Sequence, residues 1–427
     1  VASISSVLQS HRQQVETRCI QFTSPLLHIG SELQRLSPFE YVQTEKRVFL
    51  PNIDELGRQL YAKNLLEDYI ETIKERRSLV LFLERAFGEH WLSAKAADGS
   101  ALFPKHMSSR KWIDERILEL RPMLRDKFGY PYIPGSSIKG AIRTAIAYHL
   151  LKHAEQVQLP QQQSVSQIEQ MLRERLRKKD LKPKKSDDSL MGVVFTEFNL
   201  SYQGKVVPSA IGPNTDFMRA IKVSDSEPLI EKEIQLKNGK KRIDNWSVVA
   251  EVLVSSYYQN DNAKYRASIY AEMIRGVNTT FTLTLDHELL SRMQHQHEMR
   301  LPFQSIDELL KICQTFATDQ WHEEHDYWNA LSDNPRDRGR ILNFGEIRKF
   351  YEPETCPYQL RLGWGSGMNG TTIGLLLPQD LRSQLRDACG IAAPRFDAPK
   401  SRRTVFNSKG ESQLLLGWAK LKSLESC

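Results

Sequence analysis

The hydrophobic pattern of the N-terminal part predicts strands first and helices afterwards. Two extended segments are predicted, at 17–29 and at 41–50. From residue 54 to about 87, apolar residues recur every three or four positions, which is the period of an α-helix. A further helix is predicted near 112–120, so we expect a helical insert over about 54–127.

The clearest local pattern is an extended arm, a glycine turn and an amphipathic helix. Pro131 and Pro134 disfavour helix before Gly135. Ser136 or Ser137 is then expected to be the N-cap. One face of the following helix carries apolar residues, namely Ile138, Ile142, Ala145, Ile146 and Leu150.

The remainder of the chain predicts mostly strands. They are expected at 193–200, 218–223, 233–236, 241–243, 248–257, 268–274, 279–286, 358–362 and 414–421, with a helix at 306–317. The sequence K-N-G-K at 237–240 predicts a hairpin turn. In 279–286 apolar and polar residues alternate, so one face of that strand should be buried. Strands and helices in two similar sets indicate an α+β architecture.

Composition and charge narrow the class of protein. The 427 residues are 40% hydrophobic and 26% charged, which is typical of a folded, soluble chain with two to four domains. The net charge of +7 favours a polyanionic partner. Basic residues concentrate at 173–185, in the predicted hairpin turn and at Arg402–Arg403, although solvated surfaces often look the same.

Cysteine usage and the absence of long apolar runs point to a cytoplasmic protein. The five cysteines form no C-x-x-C pair, which excludes zinc ribbons and thioredoxin-like motifs. Their odd, sparse count predicts free thiols in a reducing compartment. We see no signal peptide and no bilayer-spanning segment in the sequence, so we expect a cytoplasmic location and no membrane partner.

The start of the predicted helix is a candidate phosphate site. Gly135 would let the backbone approach a ligand, and the free N–H groups and dipole of a helix N-terminus favour anions. Lys139 and Arg143 are four residues apart and leave the same helix face. An ordinary capped helix with two solvated cations fits the same residues. The order Lys139-Gly140 does not match a P-loop.

A glycine-rich segment near residue 365 is the second candidate site. Gly365, Gly367 and Gly370 match G-x-G-x-x-G, but a short, glycine-broken segment follows, which is weak support for a nucleotide cofactor. Backbone N–H groups beside Trp364 and Arg361 could hold phosphates while the indole stacks on a base. A tight loop with the indole in the core fits the same pattern.

Sequence motifs for catalysis are weaker than those for phosphate or nucleic-acid binding. Ser136–Lys139 matches S-x-x-K and Ser332–Asn334 matches S-D-N, but the K-T-G element of such serine hydrolases is missing. The histidines form no H-E-x-x-H motif and have no evident third ligand, so we expect neither a metal nor a cofactor. His28, at the end of the first strand, is the obvious acid/base candidate, but it lacks an identifiable partner.

Three segments resemble the RAMP superfamily of CRISPR-associated RNA-binding proteins. They are T-S-P-L-L-H-I-G at 23–30, P-Y-I-P-G-S-S-I-K-G-A-I-R-T-A at 131–145 and L-G-W-G-S-G at 362–367. The long helical insert, K-V-S-D-S at 222–226 and the closing region 401–418 resemble the subunits that cap the guide-RNA 3′-side end in type III-A (Csm) effector complexes.

The resemblance implies two ferredoxin-like (RRM-like) domains and an RNA-binding role. The first domain would span 1–190, with inserts at about 54–127 and 155–190, and the second would span 191–427, with the glycine-rich loop and a closing strand. The resemblance and the residue patterns together give a set of candidate RNA-binding residues. They are His28, Gly30, Gly135, Ser136, Ser137, Lys139, Gly140, Arg143, Arg361, Trp364, Gly365, Ser366 and Gly367. The implied partners are the guide RNA (crRNA), the repeating RAMP backbone subunit and the small helical subunit of the Csm complex, with target RNA nearby.

Two departures from the family pattern bear on function. Glu32 stands where the first loop often has a second glycine, and a carboxylate fits poorly against phosphate. Related backbone subunits cleave target RNA with an Asp in that loop, whereas here no Asp occurs between Gly30 and Asp54. We therefore expect a non-catalytic RNA-binding subunit that supports guide maturation and assembly. The alternative is a RAMP-type, metal-independent endoribonuclease that processes the guide-RNA precursor and uses His28.

Overall fold

The protein has a mixed α+β fold built around one large sheet. This computed structural model describes residues 14–30, 35–180, 192–207, 211–236, 239–256, 262–391, 393–406 and 412–425. The strands are β1 (Val15–Leu27), β2 (Val42–Gln43), β3 (Arg47–Phe49), β4 (Ser108–Lys111), β5 (Leu120–Arg121), β6 (Phe198–Tyr202), β7 (Lys205–Val207), β8 (Ile221–Val223), β9 (Lys232–Gln235), β10 (Lys241–Asp244), β11 (Trp246–Ser256), β12 (Lys264–Asp286), β13 (Met293–His295), β14 (Asn334–Asp337), β15 (Arg340–Leu342), β16 (Leu360–Arg361), β17 (Arg402–Phe406), β18 (Ser412–Leu414) and β19 (Trp418–Leu424).

The α-helices lie between these strands in the order of the chain. They are α1 (Ile53–Ala62), α2 (Leu66–Lys74), α3 (Leu79–Phe87), α4 (Gly135–Lys152), α5 (Val165–Lys178), α6 (Val193–Thr196), α7 (His287–Arg292), α8 (Ile306–Ala330), α9 (Gly345–Tyr351), α10 (Gly367–Thr371) and α11 (Gln379–Ala388). The predicted α+β class is therefore confirmed.

The main sheet joins strands from both ends of the chain. Its order is β16-β19-β1-β12-β11-β4-β3-β2, and β5 and β8 also pair with β12, while β17 pairs with β11. Most pairs are antiparallel, but β4 runs parallel to β11 and β5 runs parallel to β12. Strands from both sides of residue 190 thus share one sheet, and the domain boundary at that position stays a prediction.

Strand β12 is the longest element of the sheet and positions much of the rest. The sequence predicted two strands here, at 268–274 and 279–286, whereas one strand runs from Lys264 to Asp286. The predicted alternation is confirmed, because Phe281, Leu283 and Leu285 are all buried. Gly276, with φ +62°, interrupts the regular backbone near its middle.

One face of the sheet is covered by helices. Ile138, Ile142 and Ile146 of α4 are fully buried against it, which confirms the predicted amphipathic helix. Tyr148 of the same helix packs on Phe316 of α8, with ring centroids 4.6 Å apart. Helix α8 continues to Ala330, well beyond the predicted end at 317.

The opposite face of the sheet carries a smaller apolar cluster that we call the helix-free face. All members of this cluster come from strands and loops, and its fully buried residues include Leu26, Val248, Ala250, Val252, Ala271, Met273 and Val405. Three indole rings, those of Trp112, Trp246 and Trp364, pack on this cluster. The helix-free face therefore gathers three indoles on one apolar cluster.

The helical insert is confirmed for its first part only. Helices α1 to α3 occupy 53–87, as predicted, and form their own apolar cluster. The helix predicted near 112–120 is wrong. The chain there connects β4 to β5 through bends, and the Trp112 N–H donates to the Val249 carbonyl oxygen at 2.9 Å while the Tyr41 hydroxyl donates to the Ile117 carbonyl oxygen at 2.8 Å.

Other predicted elements need smaller corrections. Residues 193–196 form a helical turn instead of a strand, because Val194, Phe195 and Phe198 all reach one core and adjacent strand residues would point apart. The predicted hairpin pairing of β9 with β10 is confirmed, while Lys237 and Asn238 of its turn lie outside the described residues. The closing segment is two strands, β18 and β19.

The cysteines and the helices bear on two further expectations, namely the free thiols and the lack of a bilayer-spanning segment. Free thiols are confirmed for Cys313, Cys356 and Cys389, but the prediction is wrong for Cys19, which is disulfide-bonded. Among the helices that the structure describes, none combines the length and apolarity needed to cross a bilayer. The predicted charged helix of the second insert is α5, and the part from 181 to 190 lies outside the described residues.

Candidate nucleic-acid interface

The glycine-rich loop packs directly on the end of β1. The Trp364 N–H donates to the His28 carbonyl oxygen at 3.1 Å. Gly363, with φ +82°, has no room for a side chain, because a Cβ there would lie 2.6 Å from the same oxygen. Two of the three segments singled out from the sequence are therefore in contact.

The extended arm before α4 joins the same region through one intervening strand-like segment. The Leu124 N–H donates to the Ile29 carbonyl oxygen at 2.8 Å, and Arg125 forms an antiparallel bridge with Pro131. On the other side of the arm, the Leu229 N–H donates to the Pro131 carbonyl oxygen at 2.7 Å. All three segments thus belong to one continuous part of the fold.

Two arginines contact the indole of Trp364. The guanidinium carbon of Arg121 lies 4.8 Å from the ring centroid, and that of Arg403 lies 4.5 Å from it. Arg403 also donates to the Trp364 carbonyl oxygen at 3.1 Å. We call Arg121 and Arg403 the arginine pair. A base that stacks on this indole would have to share the ring with them.

The arginine pair carries positive charge without a carboxylate to balance it. Among the described residues neither side chain forms an ion pair, and the Nε atoms of both are buried without a hydrogen bond. Burial, and then the charge of Arg121, lower the pKa of Arg403. Burial, and then Arg35, lower that of Arg121. An anion bound between the two guanidinium groups would relieve this repulsion.

His28 lies beneath the indole and is only 1% exposed. Its ring meets that of Trp364 edge-on at 5.4 Å, and its Nδ1 lies 2.6 Å from the Glu272 carbonyl oxygen. Burial lowers the pKa of His28 to about 4, although the Glu272 carbonyl opposes this and Arg121 adds to it. The imidazole is therefore neutral at physiological pH, and its Nε2 has no hydrogen bond within the described residues.

A buried carboxylate holds the backbone beneath this site. Glu272 accepts hydrogen bonds from the Ser109 hydroxyl at 2.6 Å and the Met123 N–H at 3.0 Å, and it pairs with Arg125. Burial alone would raise the pKa of Glu272, but Arg125 and the hydrogen bonds lower it overall. Removing this charge would free the segment 123–125, which lies against Ile29.

The start of α4 differs from its sequence-based description. The N-cap is Pro134, so the predicted cap at Ser136 or Ser137 is wrong. The Asp225 carboxylate accepts from the Gly135 N–H at 2.7 Å and takes the place of a serine cap. A Cβ at Gly135 would lie 2.7 Å from the Ser224 carbonyl carbon and oxygen, so the glycine permits packing of this helix start against the 223–225 segment.

The two cations of α4 have different surroundings. Arg143 pairs with Asp216 at 2.7 Å, and its guanidinium carbon lies 3.7 Å from the Phe195 ring centroid. Lys139 forms no ion pair among the described residues, and burial lowers its pKa although Asp216 opposes this. Of the two, Lys139 is the cation left available, and Gly140 beside it is exposed.

The remaining predicted residues mainly shape the glycine-rich loop. Arg361 is buried, contacts Glu324 at 3.4 Å and donates to the Gly365 carbonyl oxygen at 3.3 Å. The Ser366 hydroxyl donates to the Gly363 carbonyl oxygen at 2.7 Å. A Cβ at Gly365 would overlap the Leu416 side chain. Gly30 and Gly367, in contrast, are exposed.

Comparison with known proteins gives the family. The model of the RAMP superfamily matches residues 19–316, which is more than half of the sequence. The chain belongs to the RAMP superfamily. Among curated relatives of this RAMP protein is the "CRISPR system Cms protein Csm5" of Streptococcus thermophilus, which is 30% identical over 132 residues. That match covers 28% of this chain and 34% of the relative, so it spans about a third of the relative's length.

Solved structures extend the likeness of this RAMP protein over nearly the whole chain. One is a chain in the cryo-EM structure of a Csm–crRNA–target RNA ternary complex of a type III-A CRISPR-Cas system, with 21% identity and a TM-score of 0.59. It covers 95% of this chain and 100% of that one. The crystal structure of T. onnurineus Csm5 has 19% identity and a TM-score of 0.56, covering 94% and 100%. These matches establish the fold, and the predicted resemblance to Csm5-like RAMP proteins is confirmed.

For this RAMP protein, sequence reasoning missed Arg121 as a site residue and treated Arg403 only as one of several tail cations. Neither position carried a local signal, because residue 121 was assigned to the end of a helical insert. Strand β5 places Arg121 beside Ala271 of β12, and β17 places Arg403 beside Val254 of β11. Only the sheet brings the two together.

Gly135 and Gly140 of the RAMP helix α4 make a matched pair for a stability test. Gly135→Ala should cost about 1–3 kcal/mol, because its methyl group would overlap the backbone at 223–224. Gly140→Ala should stabilise by about 0.5–1 kcal/mol, because nothing lies within 4 Å of a Cβ there and alanine favours helix. Urea unfolding measures both. Equal effects of the two substitutions would contradict the packing role of Gly135.

Proposed function

We propose that this chain is a non-catalytic RNA-binding subunit of a type III-A CRISPR (Csm) interference complex. In this proposal it caps the 3′-side end of the guide RNA filament and supports guide maturation and assembly. The proposal is supported by the RAMP family match, the curated Csm5 relative and a fold shared with a chain of a Csm–crRNA–target RNA complex. The two RRM-like domains, with a boundary near residue 190, belong to the same proposal.

The observation that carries the proposal is the arginine pair at Trp364. Two guanidinium groups without carboxylate partners lie on an indole at the junction of the β1 end and the glycine-rich loop. Arginine beside an aromatic ring is a recurring arrangement for single-stranded nucleic acids, because the cation takes phosphate while planar groups stack. Proteins that bind RNA in this way fix its register without reading its sequence.

The proposed contacts differ in how directly they can reach RNA. The exposed or half-buried residues Gly30, Ser136, Ser137, Lys139, Gly140, Trp364, Gly365 and Gly367 would meet the guide together with the arginine pair. His28, Gly135, Arg361 and Ser366 are buried, and they would act by holding the loop and the helix start in place. Arg143 would have a mainly structural role, because its guanidinium group is paired with Asp216. Glu32 lies outside the described residues.

The proposed setting follows from the same relatives. The guide RNA, the repeating RAMP backbone subunit and the small helical subunit of the Csm complex would be its partners, with target RNA nearby. We place the complex in the cytoplasm. No cofactor takes part in the proposed role.

The endoribonuclease alternative is less well supported. A general base or acid must reach the proton that it moves, and the His28 Nε2 is buried. The pKa of His28, lowered to about 4 by burial, also leaves it uncharged at neutral pH. No second titratable side chain among the described residues hydrogen-bonds to its ring.

Fluorescence anisotropy with the full chain tests the proposed function. We expect single-stranded RNAs of unrelated sequence to bind with similar affinity, which falls as salt rises because counterions are released. An RNA whose 3′ end is free should bind more tightly than one whose 3′ end is closed into a hairpin. The matched control is the same pair with the hairpin at the 5′ end.

Two results would reject the proposal. Failure of the wild-type chain to bind RNA at low salt would remove the binding role, and equal affinity for both hairpin RNAs would remove the end-capping role. Incubation with precursor RNA separates the alternative. Specific cleavage that disappears in His28→Ala would favour the endoribonuclease.

A further inference from the structure

A cavity of about 400 Å³ opens beside the extended arm, and we call it the β3–β4 cavity. Its walls come from β3, the segment 105–108, the arm at 130–131, the segment 229–231 and the start of β11. None of the residues that line it belongs to the candidate RNA-binding set. Sites for small ligands occupy about 300–1,000 Å³, so this cavity is large enough to be one.

Two stacked rings form one wall of the β3–β4 cavity. The rings of His106 and Tyr130 lie with their centroids 4.3 Å apart and their planes 23° apart. The His106 Nε2–H donates to the Phe128 carbonyl oxygen at 2.9 Å, which fixes the imidazole in place. His106 is exposed, and because Tyr130 covers one face of its ring, that exposure belongs to the other face and the ring edges. A planar ligand can therefore stack on the imidazole.

A tight turn holds this aromatic wall in position. The Asp126 carboxylate accepts from the Phe128 N–H and the Tyr130 N–H, both at 2.9 Å. Gly129 has φ +86°, and a Cβ there would lie 3.1 Å from the His106 Nε2. The backbone of the turn thus packs closely against the imidazole. Binding on a surface that is already ordered costs less conformational entropy than binding that must order it.

The charge in the β3–β4 cavity is positive. The half-buried Arg47 donates to the Ser108 hydroxyl at 2.5 Å, and the described residues give it no ion pair. Lys105 is exposed and likewise has no ion pair within the described ranges. The Glu231 carboxylate also lines the cavity, but Arg110 binds it with two hydrogen bonds, at 2.7 and 2.9 Å. Three cations therefore face one carboxylate.

The surroundings of Arg47 favour an anion as a partner. Burial, and then the charge of Arg110, lower the pKa of Arg47, although Glu231 opposes this. A negative group in the β3–β4 cavity would stabilise the charged guanidinium. A ligand that fits both the cations and the stacked rings must join an anion to a planar ring, which is the chemistry of a nucleotide.

We propose that the β3–β4 cavity binds a nucleotide, with its base on His106 and its phosphate at Arg47 and Lys105. Guanidinium and ammonium N–H groups donate to phosphate oxygens, and an aromatic ring stacks on any of the bases. The nucleotide is either a free mononucleotide or one unit of an RNA strand, since the two present the same chemistry. This inference goes beyond the proposed function and uses none of its contact residues.

Isothermal titration calorimetry of the full chain tests the site, with AMP, adenosine and inorganic phosphate as probes at low salt. We expect AMP to bind at one site and more tightly than either fragment. His106→Ala should weaken AMP binding about tenfold, because the stacking surface is lost, and should leave phosphate binding unchanged. Lys105→Met should weaken the binding of both AMP and phosphate, by about fivefold, as expected for an exposed charge.

Lys74→Met is the matched control for the loss of charge. Lys74 is an exposed lysine at the end of α2, and no ion pair of its side chain is found in the part of the chain that the structure describes. This variant should keep its affinity for AMP within about twofold. Thermal unfolding checks that all three variants are folded, which is expected because each substitution replaces an exposed side chain.

The anisotropy assay for RNA distinguishes the two sources of the nucleotide. RNA affinity that falls in both His106→Ala and Lys105→Met, as AMP affinity does, assigns the cavity to a nucleotide of the strand. Unchanged RNA affinity, with AMP binding weakened in both variants, assigns it to a free nucleotide. Either result supports the site.

Two results would overturn the inference. AMP that binds no more tightly than inorganic phosphate would leave no role for the stacked rings, and AMP affinity that is the same in wild type and both variants would place the nucleotide elsewhere. The proposed function fails separately. A wild-type chain that binds AMP in a His106-dependent way but binds no RNA would keep this site and reject the RNA-binding role.

Discussion

Replacing both members of the arginine pair with methionine should lower RNA affinity about 100-fold. Each guanidinium that loses a phosphate contact costs roughly tenfold or more, because hydrogen bonds between charged groups are worth about 1.5–3 kcal/mol. Two lost contacts should also decrease the salt slope by about 1.4. The loss should be the same for unrelated RNA sequences, since phosphate contacts carry no sequence information.

The folded state should tolerate this double substitution. Methionine keeps an unbranched apolar stem against Trp364, and removing two like charges relieves the repulsion that lowers the pKa of Arg403. Thermal unfolding checks that the variant is folded. Arg58→Met with Arg77→Met makes the same change in charge on the helical insert, at two exposed ion pairs, and should leave RNA affinity within about twofold. Similar losses from both double variants would show that only net charge matters and would exclude a specific contact.

Glu324→Gln should destabilise the fold by about 3–5 kcal/mol. Glu324 is buried in α8, where its Oε1 lies 2.8 Å from the Arg402 Nε and 3.4 Å from the Arg361 Nη1. Removing the carboxylate charge leaves two buried guanidinium groups without a counter-charge, which is the costly way to break a buried ion pair. Urea unfolding of the two proteins gives the difference directly.

The neighbouring residue provides the control. Glu323 on the same helix pairs with Arg382 at 3.3 Å, but its side chain is 36% exposed, so Glu323→Gln should cost about 1 kcal/mol or less. Burial alone would raise the pKa of Glu324, but Arg402 and Arg361 lower it overall. Its contribution to stability is therefore complete at neutral pH and is lost only as pH falls below its ordinary value near 4.5. A Glu324→Gln protein as stable as Glu323→Gln would contradict the role of this ion cluster.

Local patterns predicted those elements whose partners are close in sequence. The amphipathic face of α4, the helical character of 54–87 and the β9–β10 hairpin follow from spacing and turn chemistry alone, and the structure confirms them. The segment 112–120 misled the prediction because Ile113, Ile117 and Leu120 are buried in one apolar cluster, which produces helix-like spacing in a connection without a helix. Tertiary contacts, and not local helix propensity, determine the conformation of that segment.

Sequence motifs predicted which segments form the candidate site, but they did not predict the roles of its individual residues. The three segments with glycine and basic residues do meet near the end of β1, but the roles of individual residues changed. Gly135, Gly363 and Gly365 are needed for close packing of backbone against protein atoms. The cations that face Trp364 come from short strands, β5 and β17, whose position depends on pairing with β11 and β12. No spacing rule within a single sequence reports such pairing.

The neighbours of β1 have a consequence for biosynthesis. This strand pairs with β12, about 260 residues later, and with β19, about 400 residues later. Contacts between such distant parts of a chain form slowly, because the entropy cost of closing a large loop comes before the contacts can stabilise the fold. During translation the edge of β1 that pairs with β12 stays open until about two thirds of the polypeptide has been made, and the edge that pairs with β19 stays open until almost all of it has been made. Such open strand edges make the nascent chain a natural client for chaperones.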